Sequence, residues 1–196
     1  MLEDWARRTG FRTPAQKARL HISRQFPREE GTMKKRIKYS ILESATVSQG
    51  VSFRETFETT LALAKVAEAS GYERFWFAEH HSSNTIASST PAVLVGYVAE
   101  NTQRIRVGAG GVMLPNHSPL IVAEQFATLA QLYPGRIDLG LGRAPGTDPA
   151  TAQAIRSDFF QAAHAFPDEI QKIQTYFSPS NKAAKVRVPM AEGLDV

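Results

Sequence analysis

Strand-and-helix units that repeat along the chain are the feature that most constrains its fold. Short apolar segments begin near residues 37, 73, 104 and 136, and each is followed by apolar side chains at helical spacing. The repeat of roughly 31 to 36 residues is the length of one strand, one helix and their connections. We therefore predict an α/β protein with four consecutive βα units and a parallel sheet.

Helix-start signals support this division into units. A serine, threonine or aspartate followed by proline or by a capping glutamate precedes each predicted helix. These signals are Ser52 with Glu55, Thr90 with Pro91, Ser118 with Pro119, and Asp148 with Pro149. The last helical region is predicted to break near Pro167 and to end at Ser178, and residues 186–188 fit a short strand.

Four units are half of a closed (β/α)₈ barrel. Such a barrel takes about 250 residues, with about 200 as a lower limit, and residues 33–196 fall short of both. An open doubly wound sheet would fit the length. The residues at the strand ends are needed to choose between the two.

Residues 1–32 differ in composition from the rest of the chain. They hold seven basic and four acidic residues, so most of the formal net charge of +4 lies there, and they contain few large apolar side chains. Such a segment buries too little surface to offset the entropy of ordering it, so we predict a disordered basic tail. The remainder shows no basic stripe interleaved with aromatic residues, which argues against a nucleic-acid partner.

Hydropathy and cysteine content narrow the function further. No run of 18 apolar residues and no secretory leader is visible, so we expect no membrane span and a cytoplasmic protein. The chain contains no cysteine, which excludes disulfides, thiolate metal sites and cysteine nucleophiles. Redox chemistry would therefore need a cofactor.

Polar and glycine residues follow the predicted strands at their C-terminal ends. In parallel α/β proteins these ends form one ligand-binding edge. The residues are Glu43 and Ser44 at the end of the first strand, Glu79, His80 and His81 at the end of the second, Gly110, Gly111, Val112 and Met113 at the end of the third, and Gly140, Gly142 and Arg143 at the end of the fourth.

Two other kinds of site are weaker alternatives at this edge. His80 and His81 are neighbours and point to opposite faces of an extended strand, so they cannot jointly chelate a metal ion. The glycine turn at residues 140–146 is similar to a dinucleotide-binding fingerprint, but Pro145 stands where the third glycine belongs. Arg143 beside this turn is either a bidentate phosphate ligand or an ordinary surface arginine.

Three segments together resemble the bacterial luciferase-like flavin monooxygenases. They are residues 76–81, 108–117 and 135–146, within a likeness that extends over about residues 38–148. The resemblance implies a (β/α)₈ TIM barrel, of which this chain holds about the first four units in residues 33–196. It also implies that reduced FMN binds at the rim and reacts there with O₂ and a small organic substrate. Some relatives use a deazaflavin instead.

The resemblance further implies roles for single residues. His80 matches the histidine near the reactive face of the flavin, where an imidazole can shuttle a proton. Arg143 matches an arginine that pairs with the cofactor phosphate, and residues 110–113 match the segment against the flavin ring, where the family often has a non-proline cis peptide. The full predicted cofactor-binding set is Glu79, His81, Gly110, Gly111, Val112, Met113, Gly142 and Arg143, with no metal ligand.

In this family a fifth strand would begin near Val196 and carry further phosphate ligands. The resemblance therefore predicts an N-terminal half-barrel with an incomplete cofactor site, supplied with electrons by a flavin reductase. The unpaired edges of the first and fourth strands predict self-association or a homo-oligomer. Two other hypotheses stay open: a non-catalytic half-barrel module that associates through these edges, and a metal-dependent (β/α)-barrel enzyme.

Overall fold

Four strands alternate with helices in a computed structural model that describes residues 37–183 and 185–196. The predicted tail at 1–32 lies outside the described residues. The strands are β1 (Ser40–Glu43), β2 (Arg74–Phe77), β3 (Arg106–Met113) and β4 (Ile137–Gly142). The helices are α1 (Phe53–Ala69), α2 (Pro91–Glu100), α3 (Pro119–Leu132), α4 (Pro149–Ile155), α5 (Phe159–His164) and α6 (Phe166–Phe177), with 3₁₀ turns at Leu114–Asn116, Pro179–Ala183 and Pro189–Ala191.

The four strands form one parallel sheet in the order β1-β2-β3-β4. Each strand lies beside the strand before it in sequence, as in the wall of a (β/α) barrel. A doubly wound sheet would reverse its strand order at a switch point, and no such reversal occurs among the described strands. The predicted α/β fold with a parallel sheet is confirmed.

One face of the sheet packs against the helices and forms the core. Phe75, Val107 and Ile137 lie side by side in the strand register and are buried in one apolar cluster. Helices α2 and α3 contribute Val95 and Phe126 to the same cluster. Burial of these large side chains stabilises the layer by about 1.5 to 3 kcal/mol for each side chain.

The opposite face, which we call the inner face, is uncovered by helices in the described part of the chain. Leu42 and Trp76 stand on it beside Gly110, and the Leu42 residue is 62% exposed. At the N-terminal ends of the strands, Arg106 holds Asp138 by two hydrogen bonds of 2.8 and 2.6 Å. The charged groups at that end of the inner face are therefore paired.

Three local predictions differ from the structure. Thr90 and Ser118 precede α2 and α3, but neither side chain makes a capping hydrogen bond. The proline that follows each residue is not the reason, because Asp148 also precedes a proline and accepts from the N–H groups of Ala150 and Thr151 at the start of α4. Residues 186–188 form no strand. Instead, the Asn181 side chain bonds both the N–H and the C=O of Val188, at 3.0 and 2.8 Å, which replaces the partners a strand would supply.

None of the helices within the described ranges combines the length and apolar character that a membrane span requires.

Candidate active site

Glu79 lies at the centre of the rim where β2, β3 and β4 end. Its residue is 0% exposed, and its Oε2 accepts a hydrogen bond from the Met113 N–H at 3.0 Å. Its Oε1 lies 2.8 Å from Nε2 of both His81 and His117. One buried carboxylate therefore joins the loop after β2 to the end of β3 and the turn that follows it.

The environment of Glu79 keeps its carboxyl ionised. Burial by itself raises the pKa of Glu79, but the hydrogen bond and charge of His117, with the hydrogen bonds from His81 and the Met113 N–H, outweigh it. The net pKa lies below the ordinary value of a glutamate. Glu79 is thus an anion that accepts hydrogen bonds from protein donors on both oxygens.

His80 has a different environment from its neighbours on either side. Its backbone N–H donates to the Ser88 carbonyl at 2.9 Å, while its ring makes no hydrogen bond within the described residues. The ring is partly exposed, and its Nδ1 is buried without a partner there. A buried imidazole nitrogen without a partner is able to bond a ligand or to take part in proton transfer.

The peptide bond between Gly110 and Gly111 is cis and lies in the segment where the resemblance placed such a bond. Gly110 is exposed on the inner face between Leu42 and Trp76 and has no side chain of its own to lie between its backbone and a flat ligand. Gly111 has another reason to lack a side chain, because a Cβ there would lie 2.7 Å from the Gly140 carbonyl oxygen. Close packing between β3 and β4 thus accounts for part of the glycine run.

Val112 and Met113 play different parts in this segment. Val112 is buried in the apolar core, so its side chain does not face the rim. Any contact of Val112 with a cofactor would therefore be made by its backbone, and that contact stays a prediction. The Met113 side chain lies over Gly142, where a Cβ would approach the methionine Sδ to 2.9 Å. A side chain at Gly142 would therefore displace the flexible end of Met113 from its present position.

Arg143 is exposed at the end of β4. Its Nε donates to the Ala163 carbonyl at 3.2 Å, and its two terminal nitrogens have no hydrogen-bond partner within the described residues. The guanidinium is oriented by α5 and keeps two donors free, as a phosphate ligand requires. Whether it binds a phosphate stays a prediction.

Asn116 and His117 belong to the site but were missed as site residues in the sequence. The 3₁₀ turn after β3 brings both side chains back to Glu79, and Asn116 Nδ2 also donates to the Pro145 carbonyl at 2.9 Å. Glu43, by contrast, bonds the Ala45 N–H at 2.6 Å and holds the turn after β1. Their sequence signals were two adjacent polar residues shortly after a strand end and their place in the 108–117 segment that resembles the family.

No group of three or more His, Asp or Glu residues within the described ranges could hold a metal ion. His81 and His117 instead direct their Nε2 atoms to the same carboxylate oxygen at hydrogen-bond distance.

A parallel wall of βα units with a polar rim at the C-terminal strand ends defines a TIM-barrel-type α/β protein. Residues 37–172 match the luciferase-like monooxygenase family. The chain belongs to this family, and the predicted resemblance is confirmed.

Two relatives illustrate the similarity. The luciferase-like monooxygenase of Escherichia coli strain K12 is 49% identical over 153 residues, which are 78% of this chain and 46% of the relative. The N-acetyl-S-alkylcysteine monooxygenase of Bacillus subtilis strain 168 is 43% identical over 141 residues, 72% of this chain and 42% of the relative. The chain spans about half the length of the curated relatives it matches.

Solved structures share the fold. Apo-MsnO8 superposes with a TM-score of 0.72 at 38% identity, over 79% of this chain and 46% of that one. The oxygenating constituent of 3,6-diketocamphane monooxygenase from Pseudomonas putida, solved in complex with FMN, gives a TM-score of 0.63 at 19% identity, over 72% and 40%. These neighbours confirm a barrel-type architecture for the four described units.

Proposed function

We propose that this chain belongs to a flavin-dependent monooxygenase that uses reduced FMN and O₂ on a small organic substrate. The ends of its four strands would form one part of the site where the flavin binds and the substrate is oxygenated. The observation that carries the proposal is the rim itself: the unpartnered Nδ1 of His80 lies at the same sheet edge as the exposed backbone of Gly110. Membership of the luciferase-like monooxygenase family supports the reaction class.

The residues at the rim fit a flavin. Gly110 offers backbone without a side chain. Within the described residues, one imidazole nitrogen of His80 and two guanidinium nitrogens of Arg143 have no protein partner. The Gly110 backbone would allow a flat ring to lie close, and Arg143 would hold a phosphate. When bound, the flavin would supply the redox chemistry that the cysteine-free chain lacks.

The chain's own groups would bind, orient and exchange protons. Arg143 would bind the phosphate, residues 110–113 would set the plane of the ring through their backbone, and His80 would move a proton at Nδ1. Glu79 and His81 bond each other, so we assign them to support of the rim, and direct cofactor contact by either stays a prediction.

The cofactor and partners are proposed on the same basis. Reduced FMN is the first choice, and a deazaflavin is the alternative. A flavin reductase would supply electrons, and a cytoplasmic location would suit such a supply. Because the chain spans about half the length of its relatives, we expect it to bind flavin weakly.

Flavin titration of two single variants tests the proposal. Arg143→Ala should weaken FMN binding roughly ten- to a hundred-fold, since one charge-assisted contact to a phosphate contributes about 1.5 to 3 kcal/mol. Arg54→Ala, which removes an exposed arginine from α1, is the matched control and should leave affinity unchanged. Equal FMN affinity of both variants would show that Arg143 does not bind the phosphate. Tighter binding of a deazaflavin than of FMN would show that the deazaflavin is the cofactor.

His80→Ala separates chemistry from binding. We expect flavin affinity near that of the wild type, but oxidation of the bound reduced flavin with product formation slower by about 10² to 10⁴, the usual contribution of a general acid or base. Stopped-flow mixing with oxygenated buffer measures the rate. Wild-type turnover in His80→Ala would contradict the assignment.

A half-barrel module without catalysis is the second candidate. The exposed Leu42 on the inner face favours it, together with β1 and β4, which each have one strand neighbour in the described sheet. Such edges and faces favour association with another chain. A chain that associates stably but binds neither flavin would support this candidate.

A further inference from the structure

We propose that Asn116 and His117 are positioning residues, which act through Glu79 to hold the backbone at His80 in place against the end of β3. The functional part of this proposal rests on the proton-transfer role proposed above for His80. Neither residue belongs to the predicted cofactor-binding set, and neither is proposed to touch the cofactor.

The connection depends on which atom of each imidazole carries hydrogen. An ionised carboxylate only accepts hydrogen bonds, so His81 and His117 must both donate from Nε2 to Glu79 Oε1, at 2.8 Å each. The Nε2–H donor exists in one neutral tautomer and in the imidazolium. Protonation of either ring therefore leaves the bonds in place.

His117 differs from His81 in what it connects. His81 is two residues from Glu79 in the same loop, so its bond only closes that loop locally. His117 lies 38 residues after Glu79, in the turn that follows β3. Its bond, with the Met113 N–H bond to Oε2, fixes the end of β2 against the end of β3.

Asn116 extends the same network to the loop after β4. Its Nδ2 donates to the Pro145 carbonyl at 2.9 Å and lies 3.4 Å from Glu79 Oε1. Both neighbours are acceptors, so the network itself determines which amide atom is nitrogen. The loops after three successive strands thus meet at one carboxylate.

His80 depends on this network for its position. Its ring makes no hydrogen bond within the described residues, so the ring is positioned by its backbone and by packing rather than by a polar contact of its own. That backbone is held by the bond to the Ser88 carbonyl and by Glu79, the preceding residue. A displacement of Glu79 therefore moves His80, and a functional side chain needs such support to keep its geometry.

Ring-proton NMR of the full chain, with labelled histidine, tests the proposal without flavin. The chain has five histidines, and the His80 signal is assigned by its loss in His80→Ala. We expect His117→Ala to displace the His80 ring resonances and to change the midpoint of its titration. His117→Gln, whose amide can donate to Glu79, should restore both values, and Lys65→Ala, which changes an exposed side chain on α1, is the control that should change neither.

The proposal is overturned if His80 keeps its wild-type resonances and titration midpoint in a folded His117→Ala chain. If that variant does not fold, the His80 signal is measured in Asn116→Ala instead. This change removes the Asn116 bonds to Pro145 and Glu79 and keeps both imidazole bonds to Glu79. An unchanged His80 signal there overturns the proposal equally. A displaced His80 signal in a chain that binds no flavin would instead sink the proposed function and leave the positioning role standing.

Discussion

Among the rim residues, Glu79 is the one whose replacement should lower the free energy of unfolding most. Glutamine keeps its size, but its amide nitrogen would face either the Met113 N–H or the two imidazole donors, so two donors would oppose each other. We expect Glu79→Gln to lower the free energy of unfolding by about 1 to 3 kcal/mol in urea denaturation at pH 7. Glu58→Gln is the control, since the Glu58 side chain is exposed on α1 and makes no hydrogen bond within the described residues.

The same carboxylate should make stability depend on pH. Because the folded pKa of Glu79 is depressed, its contribution is present above the unfolded value of about 4.3 and is lost as pH falls through the lower folded pKa. The difference in unfolding free energy between wild type and Glu79→Gln should therefore shrink on acidification. A difference that stays constant from pH 7 to the acid limit of folding would mean that the shift is absent.

The positions of the rim residues could be predicted from the sequence where one strand carried them, while their roles in a site stay predictions. The apolar segment before Glu79, His80 and His81 identified all three as rim residues, because a buried strand that stops on polar groups is visible locally. Asn116 and His117 were missed because a three-residue 3₁₀ turn returns them to Glu79, and a turn of that length leaves no apolar periodicity. Contacts between distant residues were the part that sequence patterns could not supply.

Among the connecting elements, the turn before α4 is the most constrained. Gly146 has φ +65°, and a Cβ there would lie 2.5 Å from the Glu79 carbonyl oxygen. Gly135 has a similar φ of +72°, with nothing within 4 Å of its Cβ position. Gly135→Ala should therefore cost about 1 to 2 kcal/mol from its backbone conformation alone, and Gly146→Ala should cost clearly more. Equal melting temperatures of the two variants would contradict this.

Helix α1 begins with a complete capping box, which should stabilise its first turn. The Ser52 side chain accepts from the Glu55 N–H at 3.2 Å, and the Glu55 carboxylate accepts from the Ser52 N–H at 2.8 Å. Ser52→Ala should cost about 1 kcal/mol of unfolding free energy. Ser118→Ala at the start of α3 should be nearly neutral, because Ser118 makes no capping bond. A larger loss for Ser118 would reverse the assignment.

Elements with regular periodicity were predicted well, and irregular ones were not. The four βα units are present in the predicted order, because each strand and helix carries its own apolar pattern. β1 begins at Ser40 rather than near residue 37, and β3 begins at Arg106 rather than near residue 104 and includes residues 110–113. Strand ends depend on pairing with neighbours, which the pattern of one segment does not contain.

Two apolar surfaces of the whole molecule are open in the described residues. Leu42 stands on the inner face, and the outer side of α2 exposes Val93 beside a groove of about 610 Å³ between α1 and α2. Such surfaces favour association, so we expect a sedimenting species larger than a monomer at tens of micromolar protein. A strictly monomeric species would count against self-association.

A lysine substitution on each of the two apolar surfaces shows which surface mediates self-association. Leu42 and Val93 are 62% and 68% exposed, so a lysine at either position adds a charge without breaking the core. If the inner face and strand edges associate, Leu42→Lys should give a monomer while Val93→Lys does not. The reverse result would assign the contact to the outer helices.

Hydrogen exchange at the Met113 amide measures how often the rim opens. Its hydrogen is donated to Glu79, a residue 34 positions earlier in the chain that is closed off from solvent. The amide can exchange with deuterium only while the ends of β2 and β3 are apart, so its exchange rate measures how often the site opens. Because the Glu79 bonds from Met113, Asn116 and His117 share one acceptor group, they should break together. The time that His80 spends in place is then set by a single opening event.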